Sequence, residues 1–130
     1  MSISQDQLVR ITILIRKQDS ISHEDFHTYW STSHPKIWLS VPIVREKIVK
    51  YSQFHVDHKF KEGMEGKLPF AGYDGGAEMW ARSVEDLMSV FTNEEYLKIV
   101  MPDEQMFLKR EEAVMMVGYD VPRWVDGKDV

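Results

Sequence analysis

The sequence predicts an α+β fold: a four-stranded antiparallel sheet with both main helices on one face, in the order strand, helix, strand, strand, helix, strand (βαββαβ). Three observations predict it. The segment LVRITILIRK alternates at the strand period of two, placing Val9, Ile11, Ile13 and Ile15 on one face. SHED from Ser22 and SVED from Ser83 each open with a serine followed three residues later by an acid, a helix start signal close to a capping box. Two further strand-like stretches lie between those helices and one lies after them, which is the split βαβ order.

The first strand falls at Leu8 to Lys17, and the first helix is expected from His23 to about Ser33 or somewhat beyond. Pro35 and Pro42 then break the chain into turns or short helical pieces, because proline donates no backbone hydrogen bond. IVKYSQFHVD, Ile48 to Asp57, returns to strand character. The glycine-rich run from Lys59 to Gly76, interrupted by Pro69, is long enough to suggest a functional or mobile loop. GAEMWAR, Gly76 to Arg82, is the third strand. The helix capped by Ser83 is expected to be jointed at Asn93, where NEE reads as a fresh N-cap. MPDEQMFLKRE reads as a short helical connector, with Asp103 either its N-cap or a partner that orients a histidine. AVMMVGY, Ala113 to Tyr119, forms the last strand. Trp124 in the tail is expected to dock, since an indole left in water forgoes its burial energy.

A chain of 130 residues, 43% hydrophobic and 28% charged, fits one domain over 1–130, with its core at about 8–119 and a tail at 120–130. There are no cysteines, which excludes disulfides, thiolate metal sites and cysteine nucleophiles. The opening MSISQDQLVR has no basic segment followed by an apolar run, so no secretory signal is expected, and a cytoplasmic location is. No apolar run approaches a membrane span. The net charge is −5 and the basic residues are scattered, which argues against nucleic acid or a membrane as partner. The sheet face away from the helices would be a broad apolar patch unless covered, and a two-fold homodimer packed sheet to sheet covers it. A pocket would then lie between each protomer's helices and its own sheet.

EDFHTYWSTSHPKIW, from Glu24 to Trp38, concentrates proton-transfer groups and flat apolar surfaces. At about 100° per residue, Phe26, Trp30, Ser33 and Ile37 share a core stripe. His23, His27 and His34 share a neighbouring one. His34 reads either as a cation at a helix C-terminus or as a general acid or base. His27 reads as structural and His23 as solvated. A metal held by His23, His27 and His34 is disfavoured: the glutamate of HExxH is missing, and His27 and His34 lie about 10 Å apart along the axis.

In the second strand, alternation puts Tyr51, Gln53 and His55 on one face. A phenol, an amide and an imidazole aimed at a core imply a network or a ligand, unless that face of an edge strand meets water. The third strand offers Glu78, Trp80 and Arg82 on one face. Facing inward, Glu78 would be a candidate acid or base; facing outward, it would bridge to Arg82 or another cation.

DFHTYW with His34 in STSHP, YSQFH at Tyr51 to His55, YDGGAEMW at Tyr73 to Trp80, TNEEY at Thr92 to Tyr96 and PDEQMFL at Pro102 to Leu108 together resemble the EthD family of dimeric α+β-barrel proteins. Lys36 departs from the commoner pattern, which often has a small residue after the histidine. The resemblance implies a ferredoxin-like protomer that dimerises through its sheet and holds no cofactor. It also implies a link to fungal polyketide-tailoring proteins that decarboxylate aromatic polyketide acids. The expectation is therefore a cofactor-independent lyase acting on a small aromatic or polyketide-like substrate, with cyclisation, dehydration or plain binding as alternatives. His34, His55, Tyr51 and Glu78 are the catalytic candidates. Phe26, Tyr29, Trp30, Gln53, Trp80 and Asp103 are the binding candidates, and no metal is expected.

Overall fold

A computed structural model describes residues 7–130; the first part of the leader reading, MSISQD, lies outside the described residues. The elements run β1 (Val9–Ile15), α1 (His23–Thr32), α2 (His34–Trp38), α3 (Pro42–Lys47), β2 (Ile48–His55), α4 (His58–Gly63), β3 (Gly75–Ala81), α5 (Val84–Phe91), α6 (Glu94–Phe107) and β4 (Val114–Gly118). A small hairpin of β5 (Trp124–Val125) and β6 (Lys128–Asp129) follows. Among the described residues no helix is long and apolar enough to cross a membrane.

The four long strands form one antiparallel sheet in the order β2-β3-β1-β4. Residues directly opposite across a ladder share a face, so the register sorts the side chains. Ile11 lies opposite Met79 and Val117, Tyr51 opposite Met79, Gln53 opposite Ala77 and His55 opposite Gly75. These residues form the inner face, against the helices. Thr12, Glu78, Met116 and Ser52 form the outer face, one step out of phase.

The predicted caps are formed. Ser22 Oγ accepts from the Asp25 N–H at 3.0 Å, Ser83 Oγ from Asp86 at 3.1 Å and Asn93 Oδ1 from Tyr96 at 3.0 Å. Asp57 adds an unforeseen cap by accepting from Phe60 N–H at 2.9 Å, so the expected loop begins as α4. The expected short helical pieces are α2 and α3: Pro35 and Pro42 each sit in a first turn, where the missing N–H has no helical partner to lose. Pro102 lies inside α6, which therefore runs unbroken through the segment expected to be a separate connector.

Phe26, Trp30, Trp38, Ile11, Val41, Val44, Leu87, Val90 and Val100 are fully buried, and each contributes about 1.5–3 kcal/mol of transfer free energy. Gly75 is required where it stands. A Cβ there would lie 2.6 Å from the Trp30 ring, so only glycine lets the indole close onto the sheet. Trp124 does not dock and remains 65% exposed. Asp126 and Gly127, at φ 52° and 73°, make a tight turn that folds the tail back on itself instead of onto the body.

Candidate active site

A cavity of about 290 Å³ lies between the inner sheet face and the helices. Its floor is Ile13, Ile15, Ala77 and Met79, and its walls include Trp30, Trp38 and Phe91. Met88, Leu97 and Met115 line it yet are 39%, 36% and 58% exposed, so they mark its mouth. Five polar side chains reach this apolar space: His34, Tyr51, Tyr96, Glu104 and Arg110.

His34 is only 5% exposed, at the start of α2. Its Nδ1 lies 2.7 Å from Asp103 Oδ2, and the Tyr29 hydroxyl donates to the other oxygen of the same carboxylate. An ionised carboxylate only accepts, so Nδ1 carries the imidazole proton and Nε2 presents a bare lone pair at the cavity. Burial pushes the His34 pKa down, against the opposing pull of Asp103. The ring is therefore a neutral base at neutral pH. Burial, reinforced by Asp103, pushes the Tyr29 phenol up to about 12, which keeps it a donor. Two donors thus satisfy a carboxylate that would be costly to bury alone.

The other polar groups are tuned in a complementary way. Tyr51 is pushed up to about 12 by burial. Its oxygen accepts from Gln53 Nε2 at 2.8 Å, leaving its O–H to donate into the cavity. Tyr96 is raised by burial as well. Glu104 is raised to about 7, chiefly by burial and further by the Asp103 charge, although Arg110 Nε stands 3.5 Å away and opposes the shift. Among the described residues the buried Trp38 N–H meets no acceptor at full hydrogen-bond geometry, and the Tyr96 phenol is the group near enough for it to act on. The cavity therefore holds a base, an acid that is half protonated near neutrality, and two phenols kept protonated by burial.

Of the residues predicted from sequence, His34, Tyr51 and Trp30 line the cavity. Tyr29 and Asp103 support His34 from behind, and Gln53 supports Tyr51. Phe26 is fully buried core. Asp103 is not an N-cap, because α6 is already under way when it arrives and its side chain turns to His34. His55 is on the predicted face but outside the cavity: its ring lies 4.5 Å from that of Trp30, and it bonds to His27 and Gln53. Glu78 and Trp80 belong to the outer sheet face, since strand alternation sends them away from Ala77 and Met79. There Glu78 pairs with Arg10, and the Trp80 N–H donates to Asp120 at 2.8 Å. The three histidines disfavoured from sequence as a metal set are not gathered: His34 is committed to Asp103, and His23 stands near Asp74.

Sequence reasoning missed Trp38, Tyr96, Glu104 and Arg110 as site residues. A signal existed: Tyr96, Val100, Asp103 and Phe107 recur at spacings of four, three and four, which is a buried stripe of one continuous helix that includes an acid.

Strand order and one-sided helices define a ferredoxin-like protomer with a cavity suited to a small molecule. The chain belongs to the EthD domain family, whose match spans residues 18–111. It is similar in structure to an ethyl tert-butyl ether D (EthD) family protein from Bacillus halodurans, at 12% identity and a TM-score of 0.59 over 88% of this chain and 99% of that one. A dimeric protein of unknown function with a ferredoxin-like fold from Bacteroides fragilis aligns at 11% identity and 0.58, over 87% and 96% of the two chains. A hydroxynitrile lyase from Passiflora edulis aligns at 13% and 0.59, over 88% and 94%. At these identities the likeness shows the shared fold. No curated protein matches the chain in sequence.

Proposed function

We propose that this protein is a cofactor-independent lyase of the cytoplasm, working as a homodimer, that decarboxylates a small aromatic polyketide acid by general acid–base catalysis. The observation that carries the reading is the Tyr29–Asp103–His34 chain, which aims a bare Nε2 into an apolar cavity. In an ortho-hydroxy aromatic acid, His34 Nε2 takes the hydroxyl proton while protonated Glu104 delivers a proton to the ring carbon bearing the carboxylate. The resulting β-keto carboxylate loses CO2. The C–C bonding pair returns through the carbonyl to restore the ring, and His34 gives back the hydroxyl proton. Tyr51 O–H polarises the carbonyl oxygen, and the dry walls favour CO2 over the charged carboxylate. Dehydration or cyclisation would use the same base and acid. A structural neighbour is itself a lyase, which accords with this class of chemistry on the fold.

The dimer reading rests on the outer sheet face, where Phe54, Met116 and Val114 are 62%, 70% and 46% exposed beside Trp80. A protein of the same fold is described as dimeric. Sedimentation of wild type and Met116→Lys tests it: a monomeric wild type defeats it.

The catalytic reading is tested by CO2 release from a panel of ortho-hydroxy and β-keto aromatic acids, alongside binding followed by quenching of Trp30 and Trp38 fluorescence. Turnover that survives both His34→Ala and Glu104→Gln defeats it. Saturable binding without turnover of any panel member favours a carrier instead.

A further inference from the structure

We propose that the protein binds one divalent transition-metal ion, zinc by the character of the ligands, outside the cavity at His23, His58 and Asp74. Four of the chain's five histidines, His23, His27, His55 and His58, gather where the start of α1 meets α4 and the end of β2. One ligand atom each from His23, His58 and Asp74 lie within 4.8 Å of one another. Asp74 Oδ1 stands 3.6 Å from His23 Nδ1 and 3.8 Å from His58 Nε2. Ligand atoms around a tetrahedral zinc ion, with bonds of about 2.0–2.1 Å, sit roughly 3.3 Å apart. Closing this trio on an ion therefore takes a contraction of a few tenths of an ångström from Asp74 to each imidazole, and a turn of the exposed His23 ring, now stacked on His58, to bring the two imidazole nitrogens from within 4.8 Å to ligand spacing.

The surroundings are those of a held ligand set. Asp74 Oδ2 accepts the Lys17 N–H at 2.8 Å, which aims Oδ1 at the two imidazoles. His27 Nε2 is 2.9 Å from His58 Nε2, and so stands ready as a fourth donor. Its other nitrogen is anchored by His55 at 2.6 Å, and His55 in turn by Gln53 at 2.8 Å. Such outer partners orient metal-binding imidazoles in known sites. Two nitrogens and one carboxylate oxygen suit zinc, copper or nickel and are ill suited to magnesium or calcium. His58 and Asp74 bracket the glycine-rich loop, so an ion there would clasp the base of that loop to α1.

The test uses the untagged full-length chain, stripped with chelator and titrated calorimetrically with zinc chloride. One zinc per chain is expected, with a rise in Tm and visible ligand-field bands when Co2+ replaces it. His58→Ala and Asp74→Asn should each abolish stoichiometric binding and the Tm rise, while His34→Ala should keep both. No saturable binding, several weak equivalents only, or unchanged binding in His58→Ala overturns the proposal. Should His58→Ala lose its fold by circular dichroism, Asp74→Asn decides alone.

Discussion

His34 and His27 belong to the same predicted helical stripe, and burial lowers both, yet their neighbours make opposite things of them. At His34 the neighbour is a carboxylate, which pulls against burial and fixes the tautomer. At His27 the neighbours His55, His58 and His23 add to burial and bring the ring down to about 4. One imidazole is thereby poised as a base at a dry cavity, the other locked neutral among its own kind. The sign of the nearest charge, more than the residue type, decides what a histidine does.

The sharpest way to break this contrast is to remove one histidine from each setting. His34→Ala is expected to lower turnover by about 10²–10⁴-fold, the range of a lost general base. His55→Ala, behind Trp30, should cost less than about tenfold, because it only supports the cavity wall. Equal losses measured by CO2 release would erase the distinction. Asp103→Asn comes next. An amide N–H facing Nδ1 selects the wrong tautomer, and a loss of at least about 10²-fold is expected, by analogy with the serine-protease triad. Asp103 also raises His34, so the acid limb of the pH–rate profile should move to lower pH in this variant. A purely structural residue would leave that limb where it is.

Glu104 sharpens the contrast from the acid side. Its native pKa of about 7 lies above the ordinary carboxyl value, so the folded protein keeps a proton that the unfolded chain gives up. Stability is then fully present below the ordinary carboxyl range and declines as pH rises through about 7, by at most about 3 kcal/mol. Glu104→Gln should flatten that slope in denaturant melts at several pH values, and should remove the basic limb of the rate profile. A wild-type stability independent of pH between 5 and 7 would place the carboxyl in water, by roughly the same linkage.

Much of this was legible in the sequence, for definable reasons. The strand of alternating isoleucines, the caps at Ser22, Ser83 and Asn93 and the inward row of Tyr51, Gln53 and His55 are local patterns, and local patterns survive folding. What failed was non-local. Nothing near Glu78 tells which sheet face the helices will cover, so its inward reading was a choice between two phases of an alternation. Pro102 concealed the continuity of α6, and with it the stripe that brings Asp103 to His34 from 69 positions away. His58 and Asp74 meet His23 only because α4 and the run into β3 return to the start of α1.

The smallest effect tests the chain of hydrogen bonds itself. Tyr29→Phe deletes one of the two donors to Asp103 while leaving the ring packed against Phe107, 5.1 Å between centroids. Losing a bond to a charged acceptor costs about 1.5–3 kcal/mol of stability, and turnover should fall by no more than about tenfold, since the His34 tautomer is kept. The direction of the pH effect is more telling than its size. With Tyr29 gone, the carboxylate charge is less shared and acts more strongly on His34, so the acid limb should move up in pH. In Asp103→Asn the charge disappears and the limb should move down. Opposite shifts from two neighbouring substitutions follow only if Asp103 transmits charge to the imidazole; shifts of the same sign would mean that both merely loosen the packing around it.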